Sequence, residues 1–305
     1  MLQSQKNRKQ SKAIRRNTFR FNWHKYICKF ILNMSITVEA FFDHLVEELK
    51  TNENLRYYYK YLDKPSRFEY RKAYFCQRLQ YIIDHIEDSN LNIWDCGCGF
   101  GTTGLFLSLN GISSHGTTLE HYIKEIPGRV EYWSQFGDVS KFTYSYENIF
   151  DHNYKANSFD LIIIQDTLHH LEPLNSALEI LSKALKKSGK LLIIEENGNN
   201  VIQNAKLFLQ RGNNKIIEVY DEKLGKNILL GNENIRGLKK WEEAFKKQNL
   251  RIDNDSVQYI RYYLPFMFPN KKAGEKVQKE QALWKKNNFL KEYFFFGINF
   301  IVHKN

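Results

Sequence analysis

The sequence predicts an α/β fold with a mostly parallel sheet that is covered by helices on both faces. Two stretches carry this prediction. Residues 93–104 have the pattern of a strand, a glycine turn and a helix start, because apolar residues run into Asp95 and alternating glycines follow. Residues 161–164 form a continuous apolar run, which a parallel strand buried on both faces requires. Strands and helices are therefore expected to alternate along the chain.

Length and charge limit the classes of function. The chain has 305 residues, enough for one α/β domain with extensions. Its net charge of +11 is concentrated in residues 1–33, which carry nine Lys or Arg and no acidic residue. The remainder has 36 basic and 34 acidic residues, a net charge of +2. A nucleic-acid partner is therefore not expected for the folded body.

The basic segment 1–33 has three interpretations. It could be an organellar transit peptide, a solvated arm that contacts anionic surfaces, or translated sequence upstream of the true start at Met34. The apolar segment 26–32 is too short to span a bilayer, so no transmembrane segment is expected. The scattered cysteines predict reduced thiols, a cytoplasmic location and no metal site. The four cysteines are Cys28, Cys76, Cys96 and Cys98.

The segment 34–88 is predicted to form an N-terminal helical cap ahead of a main domain at 89–305. Two or three helices are expected in it, at 38–49, 54–62 and 66–86. Ser35 is a plausible N-cap for the first, with Glu39 in its first turn. Aromatic residues are denser here than one buried helix stripe needs. We therefore expect the cap to pack on the domain and to close over a substrate pocket.

The main domain continues the alternation. Strands are predicted at 112–119, 142–146, within 158–173, and at 190–195, 251–260 and 293–302. Helices are predicted at 121–126, 174–185, 200–209, 234–248 and 275–286. An insertion is expected around residues 197–233, where the form of the segment 216–230 is left open.

The glycine turn predicts a cofactor site. Alternating glycines let a backbone adopt positive φ angles and approach a ligand closely, and the N–H groups that start the next helix face the same ligand. Gly99-x-Gly101-x-x-Gly104 fits the dinucleotide fingerprint, and Glu120 lies at a suitable distance to bind ribose hydroxyls. An NAD-dependent dehydrogenase is therefore one candidate.

A longer motif favours another family. Residues 93–101 have the pattern apolar-apolar-Asp-x-Gly-Cys-Gly-x-Gly, which resembles the first motif of the class I S-adenosylmethionine-dependent methyltransferases. Residues 158–171 resemble the fourth strand of the same family and its following turn, with Ser-Phe-Asp, apolar residues and then Leu-His-His-Leu. The resemblance extends over residues 91–196 and favours a methyltransferase over a dehydrogenase.

The resemblance implies a fold and a cofactor site. The fold is a doubly wound, Rossmann-like, seven-stranded sheet that is mostly parallel, with an antiparallel last strand. The cofactor is S-adenosylmethionine, with Asp95 and the glycine loop at its methionine end, Glu120 at the ribose and Glu147 or Asn148 at the adenine. The cofactor-binding residues that the resemblance implies are Asp95, Gly97, Cys98, Gly99, Gly101, Glu120, Glu147, Asn148 and Gln165.

Two histidines are the candidate catalytic residues. His169 and His170 follow the fourth strand, at the sheet edge where ligands bind in open α/β folds. One of them could remove the acceptor's proton, and only one is expected to face the pocket. His170 is the commoner match in the family, which leaves His169 as the freer candidate for the base.

The acceptor is expected to be a small or medium-sized molecule that is apolar or aromatic. Three alternatives remain open: a methyltransferase that acts on RNA or protein, a dehydrogenase that uses the same glycine turn, and a cofactor-binding subunit without activity. The oligomeric state is not predicted.

Overall fold

The computed structural model describes residues 35–119, 121–267 and 273–305. The predictions made for residues 1–33 and for Glu120 lie outside these ranges. The described strands are β1 (Ile93–Cys96), β2 (Ser114–Thr118), β3 (Phe142–Tyr146), β4 (Phe159–Gln165), β5 (Leu185–Glu196), β6 (Ile216–Asp221), β7 (Lys226–Gly231), β8 (Leu250–Ile260) and β9 (Gly297–Lys304).

A seven-stranded sheet in the order β3-β2-β1-β4-β5-β9-β8 forms the centre of the molecule. The strands from β3 to β5 pair in parallel. β9 lies between β5 and β8 and pairs antiparallel with both. The predicted doubly wound sheet with an antiparallel last strand is confirmed.

The sheet is buried on both faces, as the apolar run in β4 predicts. Leu161 and Ile163 belong to one apolar cluster, together with the cap helices. Ile162 and Ile164 belong to the other cluster, on the opposite face. Because successive side chains of a strand point to opposite faces, both faces of this strand need apolar residues.

The predicted N-terminal helices are present as α1 (Val38–Thr51), α2 (Glu53–Tyr59) and α3 (Phe68–Asp84). Thr37, not Ser35, caps the first of them, because its side chain accepts a hydrogen bond from the amide of Ala40. The ring of Phe41 in α1 stacks on Trp133 at 4.3 Å between centroids. The cap is therefore packed on the main domain through its aromatic residues.

Helices on both faces complete the domain. They are α4 (Thr102–Leu109), α5 (Ile126–Trp133), α6 (Leu174–Ala184), α7 (Val201–Arg211), α8 (Leu238–Lys246), α9 (Ala273–Lys286) and α10 (Asn288–Phe294). Within the described ranges, no helix is long and apolar enough to cross a membrane.

Several boundaries differ from the predictions, among them those of the last strand and of β5. The last strand starts at Gly297 instead of residue 293, because α10 intervenes and is capped by Asn287, whose side chain accepts from the amide of Leu290. β5 starts at Leu185 instead of residue 190, and its pairing with β4 is irregular there, since the register shifts between Phe159 and Leu161. The segment 216–230, whose form the sequence left open, is part of a hairpin of β6 and β7.

Candidate functional site

A cavity of about 990 Å³ lies at the carboxyl ends of the parallel strands. The glycine loop after β1 and the segments that follow β2, β3 and β4 form its floor. The cap helices α2 and α3 and the β6–β7 hairpin contribute the other walls. The predicted site residues that line it are Asp95, Gly97, Cys98, Gly99, Glu147, Asn148, Gln165, His169 and His170.

The glycines of the loop serve different purposes. A Cβ at Gly97 would lie 2.1 Å from Thr167 Oγ1, and one at Gly101 would lie 2.6 Å from the ring of Phe142. These two glycines therefore allow close packing, and Gly101 is not among the residues that line the cavity. At Gly99, where φ is +52°, an added Cβ meets no described atom within 4 Å. Gly99 is thus the loop glycine that leaves open space for a ligand.

Asp95 is a buried carboxylate at the end of β1. Its side chain is 2% exposed, and Oδ2 has no hydrogen-bond partner among the described residues. Burial raises the pKa of Asp95 to about 7. An unpartnered carboxylate of this kind is costly to bury, so a ligand group with a positive charge would be stabilised beside it.

Glu147 and Asn148 follow β3 at the cavity wall. The Glu147 carboxylate accepts hydrogen bonds from Ser145 Oγ at 2.5 Å and from the Tyr154 hydroxyl at 3.3 Å. Asn148 Oδ1 accepts from the amide of Phe150 at 3.1 Å. Both side chains are thus held in place by their own turn while they border the cavity.

The turn after β4 brings both candidate histidines to the cavity wall, so the expectation that only one would face the pocket is wrong. His169 is buried, and its Nδ1 lies 2.5 Å from Glu195 Oε2 at the end of β5. Its Nε2 lies 3.7 Å from Glu233 Oε2, just beyond the hairpin. His170 Nδ1 donates to the carbonyl of Gly231 at 2.7 Å.

The charge state of His169 bears on its predicted role as a base. Burial opposes the charged form, but the carboxylates of Glu195, Glu233 and Asp166 outweigh it and raise the pKa of His169 to about 9. At neutral pH the ring of His169 therefore has a proton on each nitrogen and a positive charge. That charge state weighs against His169 as the group that accepts a proton from the acceptor.

Charged residues that the sequence did not indicate line the same cavity as the histidines. Arg78 of α3 forms an ion pair with Asp166, which directly follows β4. Although burial opposes it, the charges of Arg78 and Arg261 lower the pKa of Asp166. Arg261 Nη2 also lies 3.3 Å from Glu196 Oε1. Asp166, Glu195 and Glu196 all follow or end apolar strands, which is the signal that could have indicated them.

A second buried network connects the cap to the glycine loop. The Arg129 guanidinium donates to both oxygens of Glu48 in α1 at 2.8 Å, and to the carbonyl of Phe100 at 2.8 Å. Trp133 Nε1 donates to the same carboxylate at 2.9 Å. Because Arg129 and Glu48 are almost fully buried, this pair fixes the loop against the cap.

The sheet order with its antiparallel β9, and the glycine loop at the cavity floor, agree with the predicted family. Residues 94–193 match the family model described as a methyltransferase domain. The chain therefore contains a methyltransferase domain. The dehydrogenase alternative is not retained.

Solved structures of other proteins resemble this one in fold. A Galdieria sulphuraria protein with the provisional name sarcosine dimethylglycine methyltransferase is 14% identical, with a TM-score of 0.51, over 77% of this chain and 88% of its own. The YcgJ protein of Bacillus subtilis is 14% identical, with a TM-score of 0.49, over 75% of this chain and 99% of its own.

A third similar structure was solved with the cofactor. Haemonchus contortus phosphoethanolamine N-methyltransferase 2, in complex with S-adenosyl-L-methionine, is 16% identical, with a TM-score of 0.48, over 75% of this chain and 52% of its own. No curated protein sequence matches the chain. At these identities the similarity concerns the fold alone.

Proposed function

We propose that this methyltransferase binds its cofactor along the glycine loop and methylates a small or medium-sized acceptor inside the cavity. The observation that carries the proposal is the unpartnered Oδ2 of Asp95 next to a loop whose Gly99 borders open space. A methionine moiety has an ammonium group that can pair with a buried carboxylate. The residues present therefore fit the cofactor.

The proposal assigns cofactor-binding residues to the two ends of the cofactor. Asp95 holds the ammonium group, and Gly99 admits the chain of the methionine moiety. Glu147, Asn148 and Gln165 border the same cavity and are assigned to the nucleoside end. Glu120 keeps its assignment to the ribose as an expectation from the sequence. When bound, the cofactor supplies an electrophilic methyl group on a sulfonium, so the protein's work is alignment and exclusion of water.

The walls of the cavity indicate the class of acceptor. A volume of about 990 Å³ is at the upper end of the range for small-ligand pockets, about 300–1,000 Å³, and suits a cofactor together with a modest acceptor. Tyr59, Tyr61 and Tyr74 line the cap side, which favours an acceptor with an aromatic or apolar part. His169 and His170 are assigned to the acceptor end.

The division of the chain supports this arrangement. We assign residues 34–88 to a helical cap and residues 89–305 to the methyltransferase domain, with an insertion around 197–233. Tyr146 of β3 donates to Asp221 Oδ2 at 2.7 Å, and Leu171 pairs with Leu230 in an isolated bridge. These contacts hold the hairpin over the cavity, where it can help to enclose an acceptor.

Transfer of a labelled methyl group tests the proposed function. The full-length protein is incubated with methyl-labelled cofactor and a lysate separated into small-molecule, protein and RNA fractions. We expect label in the small-molecule fraction, and none above background with Gly99→Val. Gly212→Val is the matched control, because Gly212 also has a positive φ and open space around an added Cβ. Label confined to protein or RNA would refute the proposed acceptor class.

A further inference from the structure

Two histidines and a glutamate meet at the wall of the cavity. His169, His170 and Glu233 each offer one ligand atom, and these atoms all lie within 4.8 Å of one another. Their placement depends on tertiary structure, because the histidines follow β4 whereas Glu233 follows the hairpin strand β7. We propose that these residues form a binding site for a divalent transition-metal ion of the zinc class.

Hydrogen bonds fix the orientation of both rings. His170 Nδ1 is 2.7 Å from the carbonyl oxygen of Gly231, which can only accept, so the proton lies on Nδ1. His169 Nδ1 makes the corresponding bond to the Glu195 carboxylate at 2.5 Å. In metal sites, a histidine ligand usually donates its second ring N–H to a carboxylate or a backbone carbonyl. Each ring is thus held with its Nε2 directed away from that bond. Binding of the ion at His169 Nε2 displaces the second proton that this ring carries at neutral pH.

The supporting residues are themselves held firmly. Glu195 is 1% exposed, and its Oε1 accepts from the amide of Leu168 at 2.7 Å. Gly231 lies so close to the turn that a Cβ there would be 1.9 Å from the His169 carbonyl oxygen. This close approach brings the end of the hairpin, and with it Glu233, to the histidines. The three ligands therefore belong to two segments that are fixed against each other.

The ligand set determines the class of ion. Two imidazole nitrogens and one carboxylate oxygen suit zinc and neighbouring divalent ions, whereas calcium and magnesium prefer oxygen ligands. Three protein ligands leave at least one coordination position open, as catalytic zinc sites do. All three residues line the cavity, so an acceptor can reach that position.

The chemical role of the ion rests on the proposed function, although its binding does not. An acceptor hydroxyl or thiol that coordinates the ion becomes more acidic and releases its proton to solvent. Its lone pair then forms a bond to the methyl carbon. The carbon–sulfur bond of the cofactor breaks, and its electron pair returns to sulfur, which leaves a neutral thioether. No oxidant, reductant or further reactant is needed.

Zinc titration of the full-length protein tests the site. The protein is treated with a chelator, desalted and titrated with Zn²⁺ in competition with a chromophoric chelator, with Co²⁺ as a spectroscopic probe. We expect the protein to bind one equivalent of Zn²⁺ saturably. Glu233→Gln and His170→Gln should each lower the zinc affinity at least about tenfold. Glu195→Gln removes the positioning carboxylate and is expected to weaken binding about 10- to 100-fold, the usual cost of losing such a partner.

The control and the contrary results are equally specific. His303 is another partly buried histidine, and it lies on β9, paired with Lys190 of β5. His303→Gln should leave the zinc affinity unchanged. Absence of saturable zinc binding by the folded protein would identify the cluster as an ion pair only and overturn the proposal. So would binding that these variants leave intact. Titration with S-adenosylhomocysteine reports the cofactor site separately, so failure of one proposal is distinguishable from failure of the other.

Discussion

Replacement of Asp95 by asparagine should make the ligand-free protein relatively more stable as the pH rises. The pKa of Asp95 is raised to about 7, from about 3.9 in an unfolded chain. A carboxyl group whose pKa is raised by folding contributes its full stability below about pH 4 and loses it as the pH rises through about 7. Asparagine does not titrate, so Asp95→Asn escapes this loss.

The size of the effect follows from the shift. A shift of about three pH units corresponds to about 4 kcal/mol in total, at 1.36 kcal/mol per unit. Integration of the linkage relation assigns about 2.5 kcal/mol of this to the interval between about pH 5 and pH 8. The buried amide of asparagine adds a cost of its own, but that cost does not change with pH. The difference between the two pH values is therefore the quantity to measure.

Urea unfolding of the parent and Asp95→Asn at about pH 5 and pH 8, without cofactor, measures this difference. Asp160→Asn is the control, because hydrogen bonds from Lys186 and Asn92 lower the pKa of Asp160 although burial opposes it. That variant should gain no relative stability between the two pH values. A pH-independent effect of Asp95→Asn would refute the inference that burial raises the pKa of this carboxyl group. Cofactor affinity should fall in Asp95→Asn, since the neutral amide cannot pair with an ammonium group.

Three further changes have expected outcomes. Gly99→Val should abolish S-adenosylhomocysteine binding while circular dichroism shows a retained fold, whereas Gly212→Val should keep full affinity; retained binding by Gly99→Val would show that the loop is not the site. Arg129→Met should lower the free energy of unfolding in urea by about 3–5 kcal/mol, because Glu48 is left buried without a charge partner, and Glu48→Leu in the same chain should recover most of the loss. An unchanged unfolding midpoint for Arg129→Met would contradict this. Gly231→Ala should destabilise by about 1–3 kcal/mol in the same assay, since its Cβ needs space held by the His169 carbonyl, and a neutral effect would mean that the hairpin moves freely.

The local patterns in the sequence predicted the sheet because they reflect local constraints. The apolar run in β4 requires cover on both faces, and the glycine turn requires a strand before it and a helix after it. The positions of Asp95 and the histidines at the carboxyl ends of strands follow from that topology. These features depend on residues that are close in the chain.

Features that depend on distant residues could not be predicted in the same way. Glu233 reaches His169 only because the hairpin folds back over the turn after β4. The ion pair of Glu48 with Arg129 joins the cap to α5, and the two side chains are 81 residues apart in the sequence. The glycines of the loop look equivalent in sequence. Their surroundings in the folded chain distinguish Gly99, which borders open space, from Gly97 and Gly101, which allow close packing.

Calorimetric titration of the full-length protein with S-adenosylhomocysteine and with NAD tests the cofactor site most directly. The cavity geometry and the methyltransferase domain predict one S-adenosylhomocysteine site per chain and no comparable binding of NAD. Circular dichroism of the same sample verifies that the chain is folded. Equal affinity for NAD, or no heat from S-adenosylhomocysteine with a folded chain, would contradict the assignment.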